Sequence, residues 1–273
     1  MTDARAIGAD IEKIRAARPL VHNITNYVVM NTTANALLAL GASPVMAHAA
    51  EEVEEMAGLA SALVLNIGTL SGPWIEAMKI AARAARKKGI PIVLDPVGAG
   101  ATRFRTAAAL ELLASARPEI VRGNASEIRA LAAAEGETKG VESRHGSEDA
   151  LEAARELAAR YGAVISISGA VDLIVGPGGT ARVANGHPMM PRVTGLGCTA
   201  TALTGAFAAV NPSPLRAAAH AMAVMGMAGE MAAAHAAGPG SFQVNFLDAL
   251  YALNENDIQS RLRMEWISSG PSI

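Results

Sequence analysis

The sequence has very few aromatic residues and a single cysteine. Phe, Trp and Tyr make up 3% of the 273 residues, while 51% of the chain is hydrophobic. A core must therefore be built mainly from Ala, Leu, Val, Ile and Met. Cys198 has no second cysteine to pair with, which excludes an intrachain disulfide and fits a reducing compartment. The length suits one large α/β domain over residues 1–273.

A strong charge and a long uninterrupted hydrophobic run are also missing. The net charge of −2 provides no positive field for a phosphate backbone, so nucleic acid is not an expected partner. Residues 1–18 lack the continuous apolar core of a signal peptide. The most apolar stretch, residues 215–237, contains Arg216, His220, Glu230 and His235, which favours a buried helix over a membrane span. We expect a soluble, cytoplasmic protein that does not bind membranes.

Strand-like apolar runs alternate with helical patterns along most of the chain. Residues 62–67 and 90–94 are typical of buried strands, and the helix predicted between them over residues 73–88 stops at Gly89. This alternation predicts an α/β fold with a mostly parallel central sheet and helices on both faces, in three layers. Short strands at 164–168, 172–175 and 181–184 predict hairpins, and nearly all of the chain after Val193 reads as helix. Residues 136–146 form the most polar loop, which we expect to be mobile.

A glycine turn at residues 194–202 is the strongest local motif. Gly195 and Gly197 precede small residues that suit the first turn of a helix. The unpaired N–H groups and the positive end of the helix dipole at such a point can bind an anion, and they would favour the thiolate of Cys198. A plain turn before a buried helix, with Cys198 as a small apolar side chain, explains the same pattern equally well. No Gly-x4-Gly-Lys-Ser/Thr motif is present, which excludes a P-loop NTPase.

Two acidic residues follow strand-like runs and suit a magnesium ion. Asp95 ends the run 90–94, and the carboxyl ends of parallel strands face the crevice where such folds bind ligands. Glu127 stands three residues after Asn124, which is also an ordinary helix capping box. Mg²⁺ is commonly held by one or two carboxylates together with water and phosphate oxygens. Arg122 could donate to those phosphates, or it could be an exposed surface residue.

Several longer blocks resemble the hydroxyethylthiazole kinase family. They keep the family order over nearly the whole chain, from about residue 19 to residue 250. The blocks are Val21-His22-Asn23-Ile24-Thr25-Asn26-Tyr27-Val28-Val29, the segment Leu40 to Ala47, Val93-Leu94-Asp95-Pro96-Val97-Gly98-Ala99, Gly123-Asn124-Ala125-Ser126-Glu127, and Gly195-Leu196-Gly197-Cys198-Thr199.

The resemblance implies a ribokinase-like kinase that transfers the γ-phosphoryl group of ATP to 4-methyl-5-(2-hydroxyethyl)thiazole, with Mg²⁺ as cofactor. It implies a homotrimer with active sites between subunits, and a role in thiamine biosynthesis. The residue roles that it implies are thiazole binding by Met46 and Gly195, ATP binding by Arg122 and Ser168, metal binding by Asp95 and Glu127, an anion hole at Gly195, Gly197 and Cys198, and general-base catalysis by Cys198. Asn26 is expected near the thiazole.

Two positions depart from the wider pattern. Ribokinase relatives often carry Asp where Cys198 stands, and many family members carry Thr in place of Ser168. A hydroxymethylpyrimidine-type kinase and an NAD(P)H-hydrate dehydratase are the alternative enzymes, since both share this fold. A non-catalytic nucleotide-binding protein is the third alternative, and the presence of Asp95, Glu127 and Cys198 together argues against it.

Overall fold

The computed structural model describes residues 2–135 and 147–267. The strands are β1 (Leu20–Ile24), β2 (Ser43–Val45), β3 (Ala62–Asn66), β4 (Ile92–Asp95), β5 (Ile120–Asn124), β6 (Val164–Ser168), β7 (Asp172–Gly176), β8 (Gly179–Val183) and β9 (Met264–Ile267). The helices are α1 (Asp3–Ala17), α2 (Met30–Leu40), α3 (Val53–Leu59), α4 (Gly72–Lys88), α5 (Arg103–Ala116), α6 (Ala125–Glu135), α7 (Ser147–Tyr161), α8 (Leu196–Val210), α9 (Pro214–Ala234), α10 (Pro239–Ala252) and α11 (Glu255–Arg261). Residues 136–146, the predicted mobile loop, lie outside the described residues.

The strands form one sheet in the order β2-β1-β3-β4-β5-β6-β7-β8-β9. Neighbours from β2 to β6 pair in parallel, whereas β7, β8 and β9 extend the sheet with antiparallel pairs. The predicted mostly parallel sheet and the predicted hairpins are confirmed. Because the parallel strands all end at one edge, residues that follow them are brought together there.

Helices cover both faces of the sheet, as the alternation of strand side chains requires. Leu63 and Leu65 of β3 are buried in one core, and Val64 between them is buried in the other. Helices α1, α2 and α8–α10 contribute to the core around Val64, and α4–α7 contribute to the opposite core. The expected three layers are therefore confirmed.

The helix ends follow the glycine signals of the sequence. Gly41 and Gly89 take left-handed conformations with φ of 110° and 77°, and each ends a helix by donating to carbonyls of its last turn. Helix α2 begins at Met30 rather than near Tyr27, and the prediction of nearly continuous helix after Val193 missed β9. None of the helices in the described part of the chain is long and apolar enough to cross a membrane.

Candidate functional site

Polar side chains collect at the carboxyl edge of the parallel strands. Asn66 ends β3, Asp95 ends β4, Asn124 ends β5 and Ser168 ends β6. Asn66 lies beside Asp95 in the strand register, and Asn124 lies beside Ser168. Asn26 follows the end of β1, next to β3 in the sheet. The apolar runs that form these strands thus place five polar residues along one edge.

Asp95 is the buried centre of this edge, with 1% of its surface exposed. Its Oδ2 accepts hydrogen bonds from Thr201 Oγ1 of α8 at 2.7 Å and from Asn66 Nδ2 at 2.8 Å. Burial raises the pKa of Asp95 to about 6, although the charge of Arg122 and the bond from Thr201 act in the opposite direction. The carboxylate is therefore hydrogen-bonded by neutral donors, and its negative charge is not fully compensated.

Cys198 lies in the first turn of α8 and joins the same network. Asn26 Nδ2 donates to Cys198 Sγ at 3.4 Å and to Asn66 Oδ1 at 2.9 Å, and Asn66 in turn donates to Asp95. Burial and the negative charge of Asp95 raise the pKa of the Cys198 thiol to about 11. The prediction that the helix N-terminus favours the thiolate is wrong, because burial and the neighbouring carboxylate outweigh the helix dipole.

Helix α8 begins in the way that the glycine turn predicted. Gly195 is the N-cap at φ 84°, and a Cβ there would lie 2.6 Å from Cγ1 of Val29, so a larger residue does not fit. No side chain caps the helix, and the first intrahelical bond is donated by Thr199 N to Gly195 O at 2.9 Å. The N–H groups before Thr199, including those of Gly197 and Cys198, are therefore left for an anion, as the predicted anion hole requires.

A cavity of about 870 Å³ opens beside this helix end. Its lining includes four of the predicted site residues, Arg122, Ser168, Gly195 and Gly197. Arg122 is 8% exposed, its Nε has no hydrogen-bond partner within residues 2–135 and 147–267, and its Nη1 lies 3.1 Å from the position of a Cβ on Gly197. The alternative of an exposed surface arginine is wrong. A buried guanidinium with an unpaired donor is suited to an anionic group of a ligand.

Glu127 is 9% exposed and forms the capping box that the sequence indicated. Asn124 N donates to Glu127 Oε2 at 2.8 Å, and Glu127 N donates to Asn124 Oδ1 at 3.0 Å. The other carboxylate oxygen, Oε1, accepts from Gly98 N of the loop after β4 at 2.9 Å. Glu127 thus connects the ends of β4 and β5, whatever further role it has.

The charge arrangement fits a magnesium ion that arrives with a phosphate ligand. In the described part of the chain no three His, Cys, Asp or Glu side chains converge as a complete metal cage. The site offers the carboxylate of Asp95 and that of Glu127, and the two are close enough for their charges to interact. Such a sparse acidic set suits Mg²⁺, which keeps waters and takes phosphate oxygens as ligands.

Met46 lies outside the lining of this cavity and in a different part of the sheet from the other predicted residues. It follows the edge strand β2, three strand positions from β4, and the cavity lining does not include it. It is close to an aromatic cluster in which the ring of His48 lies 4.8 Å from Trp74 and Trp74 lies 5.1 Å from Tyr27. His48 Nδ1 approaches the Met46 carbonyl at 3.4 Å. Met46 therefore does not line the cavity that contains Gly195.

Sequence reasoning missed three residues of the site. Asn66 and Thr201 both bind Asp95, and Asp172 at the start of β7 lines the cavity. Burial raises the pKa of Asp172 to about 6, while the hydrogen bond from Gly169 N and the charge of Arg122 lower it. Asn66 lies one residue before the end of the predicted strand 62–67, so a strand-end argument that allowed for uncertain boundaries could have found it. Thr201 gives no such signal, because only the packing of α8 brings it to Asp95.

The class of protein is set by the fold. A pyridoxal kinase from Staphylococcus aureus, solved in complex with pyridoxal, superposes with a TM-score of 0.64 at 17% identity, over 91% of this chain and 98% of that one. At such low identity the likeness concerns the fold alone. The parallel sheet with an antiparallel extension and helices on both faces is that of the ribokinase-like α/β proteins.

The family follows from closer relatives. The profile of the Hydroxyethylthiazole kinase family matches residues 11–256. Hydroxyethylthiazole kinase from Syntrophus aciditrophicus is 62% identical over 257 residues, which are 94% of this chain and 95% of that protein. The structure of the hydroxyethylthiazole kinase protein from Pyrococcus horikoshii has a TM-score of 0.90 at 48% identity, and the match covers 97% of this chain and 100% of that one. The chain belongs to the hydroxyethylthiazole kinase family.

Proposed function

We propose that the protein transfers the γ-phosphoryl group of ATP to the hydroxyl of 4-methyl-5-(2-hydroxyethyl)thiazole, as in thiazole salvage for thiamine biosynthesis. The observation that carries this proposal is the meeting of Asp95 and Cys198 with the uncapped start of α8, beside a cavity that contains Arg122. Family membership favours this reaction over a hydroxymethylpyrimidine-type kinase or an NAD(P)H-hydrate dehydratase.

The cavity is lined by both polar and apolar groups, which suits a nucleotide. Arg122, Ser168 and the N–H groups at Gly195 and Gly197 are the polar groups, and they would bind the phosphates. Met190, Met222 and Met225 also line the cavity, and their polarizable side chains suit a flat base. Loss of the usual Thr methyl at Ser168 leaves a hydroxyl that donates to Gly123 O at 3.4 Å.

Positioning and charge stabilisation carry most of a phosphoryl transfer, because its transition state is loose and highly charged. In the proposed reaction the alcohol oxygen attacks the γ-phosphorus as the bond to ADP breaks. The N–H groups of Gly197 and Cys198 stabilise charge on the transferred group, and Arg122 binds the ATP phosphates. The thiolate form of Cys198 accepts the hydroxyl proton. With a pKa of about 11 this form is a minor one at neutral pH, so general-base catalysis by Cys198 is inefficient there.

Asp95 and Glu127 would hold Mg²⁺, with Asp95 as the stronger candidate. Asp95 uses only Oδ2 for its two hydrogen bonds from Thr201 and Asn66, whereas both oxygens of Glu127 accept backbone N–H groups. When bound, the ion supplies positive charge to the β- and γ-phosphates.

A homotrimer would complete the site in the proposed enzyme. Tyr27 and Val28, which follow β1, are 64% and 67% exposed, although both are large apolar residues. Leu38 of α2 and Tyr251 of α10 are similarly exposed and line one shallow depression. Met46 directly follows the edge strand β2, outside the lining of the cavity that contains Gly195 of its own chain. A second copy that covers the apolar surface can therefore bring Met46 of one subunit to Gly195 of another.

A coupled assay for ADP release tests the reaction directly. The protein is supplied with ATP, Mg²⁺ and one of three substrates: the thiazole alcohol, a hydroxymethylpyrimidine or a hydrated nicotinamide nucleotide. We expect turnover with the thiazole alcohol and little with the others. ADP release without any alcohol serves as the control for plain hydrolysis. Turnover restricted to the hydroxymethylpyrimidine or the hydrated nicotinamide would contradict the proposal. Light scattering of the active protein tests the trimer, and a fully active monomer would contradict it.

A further inference from the structure

Residues 185–190, here called the wall segment, line the nucleotide cavity without belonging to the sheet. Asn185, Gly186, His187, Pro188 and Met190 all contribute to the lining, and they connect β8 to the 3₁₀ turn Met190–Arg192. Among the described residues, no strand pairs with this segment through backbone hydrogen bonds, so its position depends on contacts from other elements. Those contacts converge on one carboxylate.

The carboxylate is that of Glu230 on α9, which is 14% exposed. Its Oε1 accepts hydrogen bonds from Asn185 Nδ2 at 3.0 Å and from Gly186 N at 2.9 Å. The same oxygen accepts from Arg263 Nη2 at 2.6 Å. Three donors on one ionised oxygen make a strong, charge-assisted junction. Glu230 does not line the cavity itself.

The start of β9 completes the junction. Arg263 N donates to Asn185 Oδ1 at 2.8 Å, and Asn185 Nδ2 also donates to Arg261 O at 2.8 Å. The guanidinium of Arg263 donates to Ala184 O at 2.9 Å through the Nη2 that binds Glu230. The first residue of the wall segment is thus bonded to both α9 and the chain just before β9.

The face of α9 is shaped to receive the wall segment closely. A Cβ on Gly226 would lie 2.6 Å from the backbone C and O of Asn185, and one on Gly229 would lie 2.6 Å from Met190 Sδ. Gly226 and Glu230 are four residues apart, so they lie on the same face of the helix. The two glycines permit the approach, and Glu230 fixes it by hydrogen bonds.

We propose that Glu230 is a positioning residue for the nucleotide: together with Arg263 it holds the wall segment and so sets the affinity for ATP. The inference rests on the proposed function, since it takes the cavity to be the ATP site. It assigns Glu230 no contact with either substrate. Its loss should therefore affect ATP binding and leave the binding of the thiazole alcohol unchanged.

The experiment compares Glu230→Ala and Glu230→Gln with the parent, using calorimetric binding of Mg·ATP and the KM of each substrate. We expect Glu230→Ala to weaken ATP binding about tenfold, the effect of losing one charge-assisted junction. Gln keeps an acceptor oxygen for Asn185 and Gly186, so Glu230→Gln should weaken it less. The KM for the thiazole alcohol should stay within about twofold, since the altered wall binds only the nucleotide. Glu265→Gln is the matched control, because Glu265 lies on β9 and its ion pair with Arg182 is exposed and away from the cavity.

Arg263→Ala is a second variant in case Glu230→Ala does not fold, because the Arg263 side chain is 51% exposed. It should also weaken ATP binding while sparing the thiazole alcohol. Unchanged ATP affinity in the folded Glu230 or Arg263 variants would overturn the inference, as would an equal loss for both substrates. If the parent itself binds no ATP, the proposed function fails and the inference fails with it. Normal ATP affinity in the variants of an ATP-binding parent overturns the inference alone.

Discussion

A buried aspartate lies at each end of helix α8, and the pKa values of the two carboxyl groups are shifted in opposite directions. At the start of the helix, Thr201 donates to Asp95, whose pKa is raised to about 6. At the far end, Asn211 donates through Nδ2 to Asp10 Oδ2 at 2.6 Å, and His220 Nδ1 lies 2.8 Å from the same oxygen. Burial raises the pKa of Asp10, but the hydrogen bonds from His220, Asn211 and Lys13 outweigh it, so the net shift is downward.

Both side chains are shielded from solvent, with 1% of Asp95 and 3% of Asp10 exposed, but Asp95 lies deeper in the protein and its charge is more strongly desolvated. The hydrogen-bond partners differ as well. Asp10 is bonded to an imidazole and, through Oδ1, to the ammonium group of Lys13 at 3.2 Å. Asp95 is bonded only to a hydroxyl and an amide, with the Arg122 charge acting from a distance. A carboxylate that stabilises the fold has cationic partners within the protein. A carboxylate that binds a ligand lacks them until the ligand arrives.

Replacing Asp95 should give the largest effect on activity. In Asp95→Asn we expect turnover to fall about 10³-fold, equivalent to about 4 kcal/mol, because the principal ligand of the proposed magnesium ion is lost. The fold should not suffer. The raised pKa means that the ionised carboxylate lowers stability above pH 6, so in EDTA the parent should lose stability as the pH rises from 4 to 7.5. Asp95→Asn should reduce this dependence of stability on pH, while Asp172, whose pKa is also about 6, preserves part of it. Steady-state kinetics and urea unfolding at pH 5 and 7.5 check both expectations. Normal turnover, or a marked loss of stability at pH 7.5, would contradict the comparison.

Replacing Asp10 should have the opposite signature. Asp10→Asn leaves His220 and Lys13 without their carboxylate, and we expect a loss of about 3 kcal/mol of unfolding free energy with unchanged turnover per folded molecule. The lowered pKa means that this contribution is present above the unfolded value near 3.8 and is lost as the pH falls below it toward the folded value. The parent and the variant should therefore converge in acid. Lys13→Met is the control for the exposed partner and should cost no more than about 1 kcal/mol. An Asp10 variant with normal stability but reduced kcat would contradict the assignment of Asp10 to fold stabilisation.

The sequence could predict the sheet and its functional edge because both follow from apolar periodicity. Asp95 was found because it ends a buried run. Asn66 is a weaker case, because the apolar run 62–67 continues past it to Ile67 and an amide does not by itself indicate catalysis or metal binding. Thr201 depends on how α8 crosses the sheet, which no local pattern contains. β9 was missed because Met264–Ile267 is a half-exposed edge strand with polar and apolar residues mixed.

The prediction that the helix N-terminus favours the thiolate of Cys198 was wrong for a different reason. The helix N-terminus was visible in the sequence, but the burial of the thiol and the nearby charge of Asp95 were not. The proposed contact of Met46 with a second copy of the chain is equally invisible, because no local pattern describes a neighbouring subunit. Local backbone chemistry could thus be predicted, and the energetic balance between distant groups could not.

Substitutions of Cys198 test whether its thiol acts as a general base. We expect Cys198→Ala to lose about 10²-fold in turnover, because the anion hole and Asp95 remain while the weak base is removed. Cys198→Asp should keep substantial activity, since a carboxylate can accept the same proton. With the thiol pKa near 11, the parent's rate should rise with pH through the neutral range, and Cys198→Asp should lack this rise. The check is a kcat–pH profile of the three proteins. An alanine variant as active as the parent would reduce Cys198 to packing, and an inactive aspartate variant would favour a covalent nucleophile.

Glu127 should give the smallest effect, because it combines the properties of the two aspartates. Its carboxylate is satisfied by Asn124 N and Gly98 N, as that of Asp10 is by its partners, yet it lies at the functional edge with Asp95. Glu127→Gln can keep only one of these two bonds, so we expect a loss of about 1 kcal/mol of stability. If Glu127 also serves the metal, the Mg²⁺ concentration for half-maximal rate should rise several-fold, and saturating Mg²⁺ should restore most of the turnover. Asp257→Asn is the matched control, because Asp257 closes a capping box with Asn254 at the start of α11 and is not part of the proposed magnesium site. Both variants should lose similar stability, and only Glu127→Gln should change the Mg²⁺ requirement. A shared loss of stability with no change in that requirement would make Glu127 a cap and leave Asp95 as the sole carboxylate for the ion.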